Sequence, residues 1–171
     1  MDYRPALTDL PSEAGKRIMI QRVGNSREKF NHLLDICMNE KDPLAWRAAW
    51  IMDGSDEKWP GLGRHALPRV VNALPGMKST GTIRCLLRMI SRYEIAEDDQ
   101  GVLIDECFSY LISDRYPVAV KAHAMEIIYQ HVLIYPELKE ELAAAISDHM
   151  ENNSAGFKSR GRRILKQLEK I

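Results

Sequence analysis

The sequence predicts an all-α chain, an array of about four stacked helical pairs forming a single domain over residues 1–171. Three observations predict it. A basic residue follows an apolar one at a constant spacing of 37 residues, in Trp46-Arg47, Ile83-Arg84, Val120-Lys121 and Phe157-Lys158. Self-similarity at that period marks helical-pair repeats, in which each unit completes its neighbour's core. A cap or turn signal precedes each copy, at Asp42-Pro43, Ser79-Thr80, Tyr116-Pro117 and Asn153-Ser154. Between these signals apolar residues return at the three- and four-residue steps of a helix.

The elements follow in chain order. Before Ser26, the amphipathic Lys16-Arg17-Ile18-Met19-Ile20 is either a full first helix or a cap on the array. Ser26 to Asn39 reads as a helix with Phe30, Leu33, Leu34 and Cys37 on its apolar face. Those positions recur as Leu67, Val70, Val71 and Leu74 between Pro60 and Leu74, and as Ile104, Cys107, Phe108 and Leu111 between Gly101 and Ser113. Between Pro136 and Met150 the register slips by one, to Leu142 and Ile146, as a one-residue change in a surface loop would cause. Pro68 kinks its helix or draws the start toward itself.

These second helices alternate with first helices that start near residues 43, 80, 117 and 154. Ser, Asp or Asn satisfies free N–H groups of a first turn, and Pro is tolerated at the first helical position. Trp46, Trp50 and Ile51 begin the apolar series, continued by Ile83, Leu87 and Ile90, then Val120, Ala124, Ile127 and Ile128, and finally Phe157, Ile164 and Leu165.

Asp42-Pro43-Leu44-Ala45-Trp46-Arg47-Ala48-Ala49-Trp50 resembles the HEAT repeat signature, and Pro117-Val118-Ala119-Val120-Lys121-Ala122 resembles it again. The resemblance covers about residues 26–171, although Ser79-Thr80 and Asn153-Ser154 replace the Asp-Pro of the pattern. The whole chain is similar to small bacterial HEAT-like proteins ending in sequences like Phe157-Lys158-Ser159-Arg160-Gly161-Arg162-Arg163. This likeness implies an α-α superhelix, a HEAT- or armadillo-like solenoid, and most often a protein-binding scaffold.

Composition narrows the function classes. A chain of 171 residues buries roughly 70 % of its unfolded surface and needs no disulfide or metal staple. Lys and Arg number 24 against 24 Asp and Glu, so no global footprint for nucleic acid or anionic membrane exists. The N-terminal MDYRPALTDLPSEAG lacks the apolar stretch of a signal peptide, and no later segment is apolar enough to span a bilayer, which leads us to expect a cytoplasmic protein. Cys37, Cys85 and Cys107 form no C-x-x-C pair, and Cys85 and Cys107 fall in core columns, so both read as small buried side chains.

The basic column Arg47, Arg84, Lys121 and Lys158 is expected to bond carbonyl ends or acids of neighbouring units while its stems cover apolar surface. Its alternative is a line of phosphate contacts, helped by Arg88 and Arg92 and by the C-terminal Arg160, Arg162, Arg163 and Lys166. A terminal repeat also needs a polar outer face, which accounts for that C-terminal cluster as a cap. Asp53 is the other conspicuous residue, because its column otherwise holds Ile90, Ile127 and Ile164. HEAT-like glycosylases that excise alkylated purines use an acid beside aromatic side chains, so Trp46, Trp50, Asp53 and Trp59 resemble such a pocket, with Asp53 as the catalytic alternative. The plainer expectation is that the helix ends at Gly54 and leaves Asp53 in solvent, in an acidic loop with Asp56 and Glu57.

No H-x-x-x-H or Glu-x-x-His pair occurs among the five histidines, Gly61-Leu62-Gly63 is too short for a phosphate loop, and no nucleophile motif is present. We therefore expect no metal, no cofactor and no catalytic residue. What remains is the concave face that second helices usually line. One of its columns holds His32, Arg69 and Glu106, and another holds Asp35, Asn72 and Ser109. Their charges differ from unit to unit, which suits an irregular protein partner better than a uniform phosphate backbone. The expected function is a non-enzymatic interaction scaffold or adaptor, with nucleic-acid binding as the alternative and no membrane partner.

Overall fold

The computed structural model describes residues 2–9 and 12–171. The described residues form ten α-helices and no strand, in two compact units divided between Glu94 and Ile95.

In the first unit, α1 (Arg4–Thr8) and α2 (Glu13–Val23) resolve the N-terminal segment into two helices. Tyr3 and Leu7, four residues apart, are both buried, and α1 packs on α4. The Ser12 hydroxyl accepts from Gly15 N at the start of α2, and Gly24, at φ 60°, ends it in a conformation that suits glycine. α3 (Arg27–Asn39) is capped by Ser26 and buries the expected Phe30, Leu33, Leu34 and Cys37. α4 (Leu44–Lys58) packs against α2, α3 and α6.

Two expectations fail in this unit. Pro43 takes the cap position rather than the first helical one, and Asp42 Oδ1 accepts from Trp46 N at 3.2 Å. More consequentially, α4 does not end at Gly54 but continues to Lys58. Gly54 serves a close approach there, since a Cβ would lie 2.5 Å from Ile20 Cδ1 of α2. The next helix begins late. Arg64–Ala66 makes a single 3₁₀ turn and α5 covers only Leu67–Ala73, with Pro68 in its first turn, because a proline deeper in the helix would clash with the carbonyl four residues back. α6 (Thr80–Ile90) starts at the expected Ser79, whose hydroxyl accepts from Thr82 N.

The second unit repeats the pattern. α7 (Glu97–Ile112) starts four residues earlier than expected, where Glu97, Asp98 and Asp99 complement the positive end of the helix dipole. Its buried residues are Leu103, Cys107, Tyr110 and Leu111, while the expected Ile104 and Phe108 are only half-buried. α8 (Val118–Val132) follows Pro117 at the cap position, so here too the proline precedes the helix. A 3₁₀ turn at Pro136–Leu138 leads into α9 (Lys139–Asp148), and buried Leu142 and Ile146 confirm the one-residue slip. α10 (Ala155–Leu168) is capped by the Ser154 hydroxyl and packs on α8 and α9. Phe157 and Ile164 are buried, whereas Leu165 is half-buried.

Candidate functional site

The repeat places Asp53 in a core column, and the structure buries it there at 2 % exposure beside Asp56 at 1 %. The solvent-exposed acidic loop expected at this point does not form. Asp53, Asp56 and Glu57 stand at three- and four-residue steps and share one face of α4, while Arg88 stands in the last turn of α6 and Arg92 in the turn just after that helix. Arg88 Nη1 reaches Asp53 Oδ2 at 2.6 Å and its Nη2 reaches Glu57 Oε1 at 2.6 Å. Arg92 Nη2 donates to Asp53 Oδ1 at 2.8 Å and its Nε to Asp56 Oδ2 at 3.0 Å. Asp56 Oδ1 accepts from Gly63 N at 2.8 Å and from the Tyr93 hydroxyl, which burial and then the Asp56 carboxylate push up to about 12. Every oxygen of the two buried carboxylates is engaged, so the cluster ties α4 to α6.

The neighbouring tryptophans do not enclose Asp53: Trp46 lines a groove of about 350 Å³ with Asp42, Ser79 and Arg84, to which Asp53, Trp50 and Trp59 do not contribute. Trp46 and Trp50 have ring centroids 5.7 Å apart, Lys16 Nζ lies 4.7 Å from the Trp50 ring, and Trp59 pairs with Lys58 at 5.0 Å. The basic column divides. Arg47 behaves as expected, donating from Nη1 to Leu7 O at 2.9 Å and Thr8 O at 2.7 Å, the last carbonyls of α1. Lys121 is 2 % exposed, with Nζ 5.7 Å from the Phe157 ring and 4.0 Å from Asp114. Arg84 is exposed and Lys158 half-buried, and neither makes an ion pair with a described residue.

The second-helix columns come out at the surface. In the first unit Arg69 Nη1 pairs with Asp35 Oδ1 at 2.6 Å, and Asn72 Nδ2 donates to Pro68 O on its own helix. His32 and Asp35 line a groove of about 350 Å³ with Asp2, Tyr3, Arg4 and Ile36. The sequence reading did not place the N-terminal segment there, although Tyr3 and Leu7 carried the four-residue signal. A larger groove of about 630 Å³ opens between the ends of α3 and α6, with Cys37, Met38, Met77 and Thr82 among its walls. In the second unit Glu106 is half-buried and Ser109 exposed. Burial, with the Glu106 carboxylate nearby, raises the Tyr110 hydroxyl well above its ordinary range.

The C-terminal cations separate into two sets. Arg160 Nη1 and Arg163 Nη2 both meet Glu126 Oε2 of α8, at 3.2 and 2.6 Å, while Arg162 and Lys166 are exposed. The three cysteines are buried, and burial pushes the Cys37 thiol up to about 12. No group of three potential metal ligands occurs among the described residues, and no helix among them is long and apolar enough to cross a membrane.

A family model described as HEAT repeat domain matches residues 3–168. No curated protein and no solved structure matches the chain.

Proposed function

From the premise that this chain belongs to the HEAT repeat family, we propose that it is a non-enzymatic protein-interaction scaffold or adaptor that binds through the exposed columns of its second helices. The observation that carries this reading is the surface around α3 and α5, where the exposed Asp35–Arg69 pair borders the groove that His32 shares with the N-terminal segment. Both signs of charge beside a concavity fit an irregular polypeptide surface and give it orientation. In the second unit Glu106 and Ser109 occupy the equivalent columns of α7. Asp53, with both oxygens held by arginines, lends nothing to a base-excision reading.

Affinity capture from native lysate, with and without nuclease, tests the proposal when run beside Arg69→Glu and His32→Ala. The expected result is a protein retained after nuclease treatment and lost with either substitution. Nucleic acid recovered instead, and released by raised salt, would overturn it.

A further inference from the structure

Inside the first unit, the chain shows how its helices recognise one another by charge. The acid pattern Asp53-x-x-Asp56-Glu57 of α4 is held by Arg88 of α6 and Arg92 of the turn that follows it. Two repeats later, Arg162 and Lys166 of α10 occupy the columns of Arg88 and Arg92. Of the two helices that α10 packs on, α8 is the counterpart of α4, and its residues in the columns of Asp53, Asp56 and Glu57 are Ile127, Gln130 and His131. No carboxylate is supplied. Arg162 and Lys166 are exposed one helical step of about 6 Å apart, with the half-buried Lys158 a step before them on α10 and the exposed Lys170 just past its end, and together they form a cationic stripe.

The missing acid pattern is present elsewhere in the same unit. Glu137 of the 3₁₀ turn, with Glu140 and Glu141 at the start of α9, reproduces the sequence spacing of Asp53-x-x-Asp56-Glu57, and all three glutamates are exposed. Neither these three nor Arg162, Lys166 and Lys170 form an ion pair with another described residue. Asp148 and Glu151 extend the acidic face, and the one lysine of that stretch, Lys139, is half-buried.

We propose that the α10 stripe docks a second copy of this chain, with Arg162 and Lys166 of each protomer receiving Glu137, Glu140 and Glu141 of its partner. A two-fold arrangement makes the contact twice, since each copy carries both halves. Opposite charges in matched spacing give the pair its register and its encounter rate, and the zero formal charge of the chain removes any overall repulsion between copies. The stripe presents no aromatic or large apolar side chain, so neither base stacking nor bilayer insertion is served by it. This inference stands apart from the scaffold reading, which concerns the second-helix columns.

Sedimentation equilibrium of the purified chain tests it. Dimer is expected at about 20 mM salt with protein in the range of about 10–100 µM, weakening roughly tenfold or more by about 300 mM salt. The double variants Arg162→Glu/Lys166→Glu and Glu140→Lys/Glu141→Lys change only exposed side chains, and circular dichroism verifies their folding. Each alone should be monomeric, and an equimolar mixture should dimerise, because one contact is then native and the other reversed in both signs. A wild-type chain that stays monomeric at low salt would overturn the proposal and leave the stripe as the polar cap of the array. So would folded variants whose mixture does not associate. Nucleic acid retained by monomeric wild type and lost in Arg162→Glu/Lys166→Glu would overturn it in favour of a phosphate-binding role.

Discussion

The Asp53 cluster predicts an asymmetry between its acid and base halves. In Asp53→Asn, Arg88 keeps Glu57 and Arg92 keeps Asp56, and both guanidinium groups reach water, at 38 % and 28 % side-chain exposure. Asn keeps a carbonyl oxygen for one arginine, so one charge-assisted hydrogen bond is lost outright and the other weakened while the donors rehydrate, and we expect about 2–3 kcal/mol. In Arg92→Met the groups left behind are carboxylates with side chains 3 % and 1 % exposed. Asp53 retains only Arg88, and Asp56 retains Gly63 N and Tyr93. A buried Asp56 carboxylate left with no cation, beside an Asp53 that keeps one, costs more, about 3–5 kcal/mol. The double variant Asp53→Asn/Arg92→Met should be less unstable than the sum of the two by about 1–2 kcal/mol, as coupled partners in one network are. Urea denaturation followed by far-UV circular dichroism measures all three. Equal losses in the two single variants, or strict additivity in the double, would refute the network as described.

Three further outcomes follow from the packing. Ile127→Ala and Leu111→Ala, each deleting a buried side chain at 1 % and 0 % exposure, should lower stability by about 2–5 kcal/mol in the same assay, and unchanged melting would dissolve the column assignment. Gly161→Ala should destabilise although Gly to Ala inside a helix ordinarily gains about 0.5–1 kcal/mol, because the new Cβ would lie 2.9 Å from Ile146 Cγ2 and Met150 Cε; a rise in melting temperature would show that α9 yields. Burial and then the nearby Arg27 charge lower the His65 pKa from its ordinary 6.5. The folded state therefore takes up its proton later than the unfolded chain, and the stability contributed by neutral His65 is present above pH 6.5 and lost as pH falls through the lowered value. Urea midpoints measured across that window should fall less steeply in His65→Gln than in the parent.

How much of this was legible in the sequence depended on whether a signal was periodic or local. The 37-residue columns located the helices from α3 onward and most of the core, including the slip at Leu142 and Ile146. They also held the right answer for Asp53, since Ile90, Ile127 and Ile164 are all buried in the same column. The local reading of Gly54 as a stop signal pointed the other way and was wrong, because that glycine admits α2 against α4, a contact no single helix reveals. The pairing of Asp53 and Asp56 with Arg88 and Arg92 was hidden for a similar reason. Separations of 35 to 39 residues become contacts only after consecutive repeats of the first unit stack, whereas the sign of the arginines alone points to a basic edge. Exposure of the second-helix columns followed from the helical period, but the groove at His32 depends on Tyr3 and Arg4, whose short helix carries too few residues to announce itself.

A repeat whose apolar columns are interchangeable faces a problem of order during folding, because any first helix offers a similar greasy seat to any other. Asp53 and Asp56 make one of those seats selective. Were α8 to settle on α4 in place of α6, Met125 and Tyr129 would arrive in the columns of Arg88 and Arg92, and two carboxylates would be shut away from water with no cation beside them. That misassembly is closed by the same two acids that strengthen the correct one, so the cluster acts as proofreading for the sequence in which neighbouring helices come together.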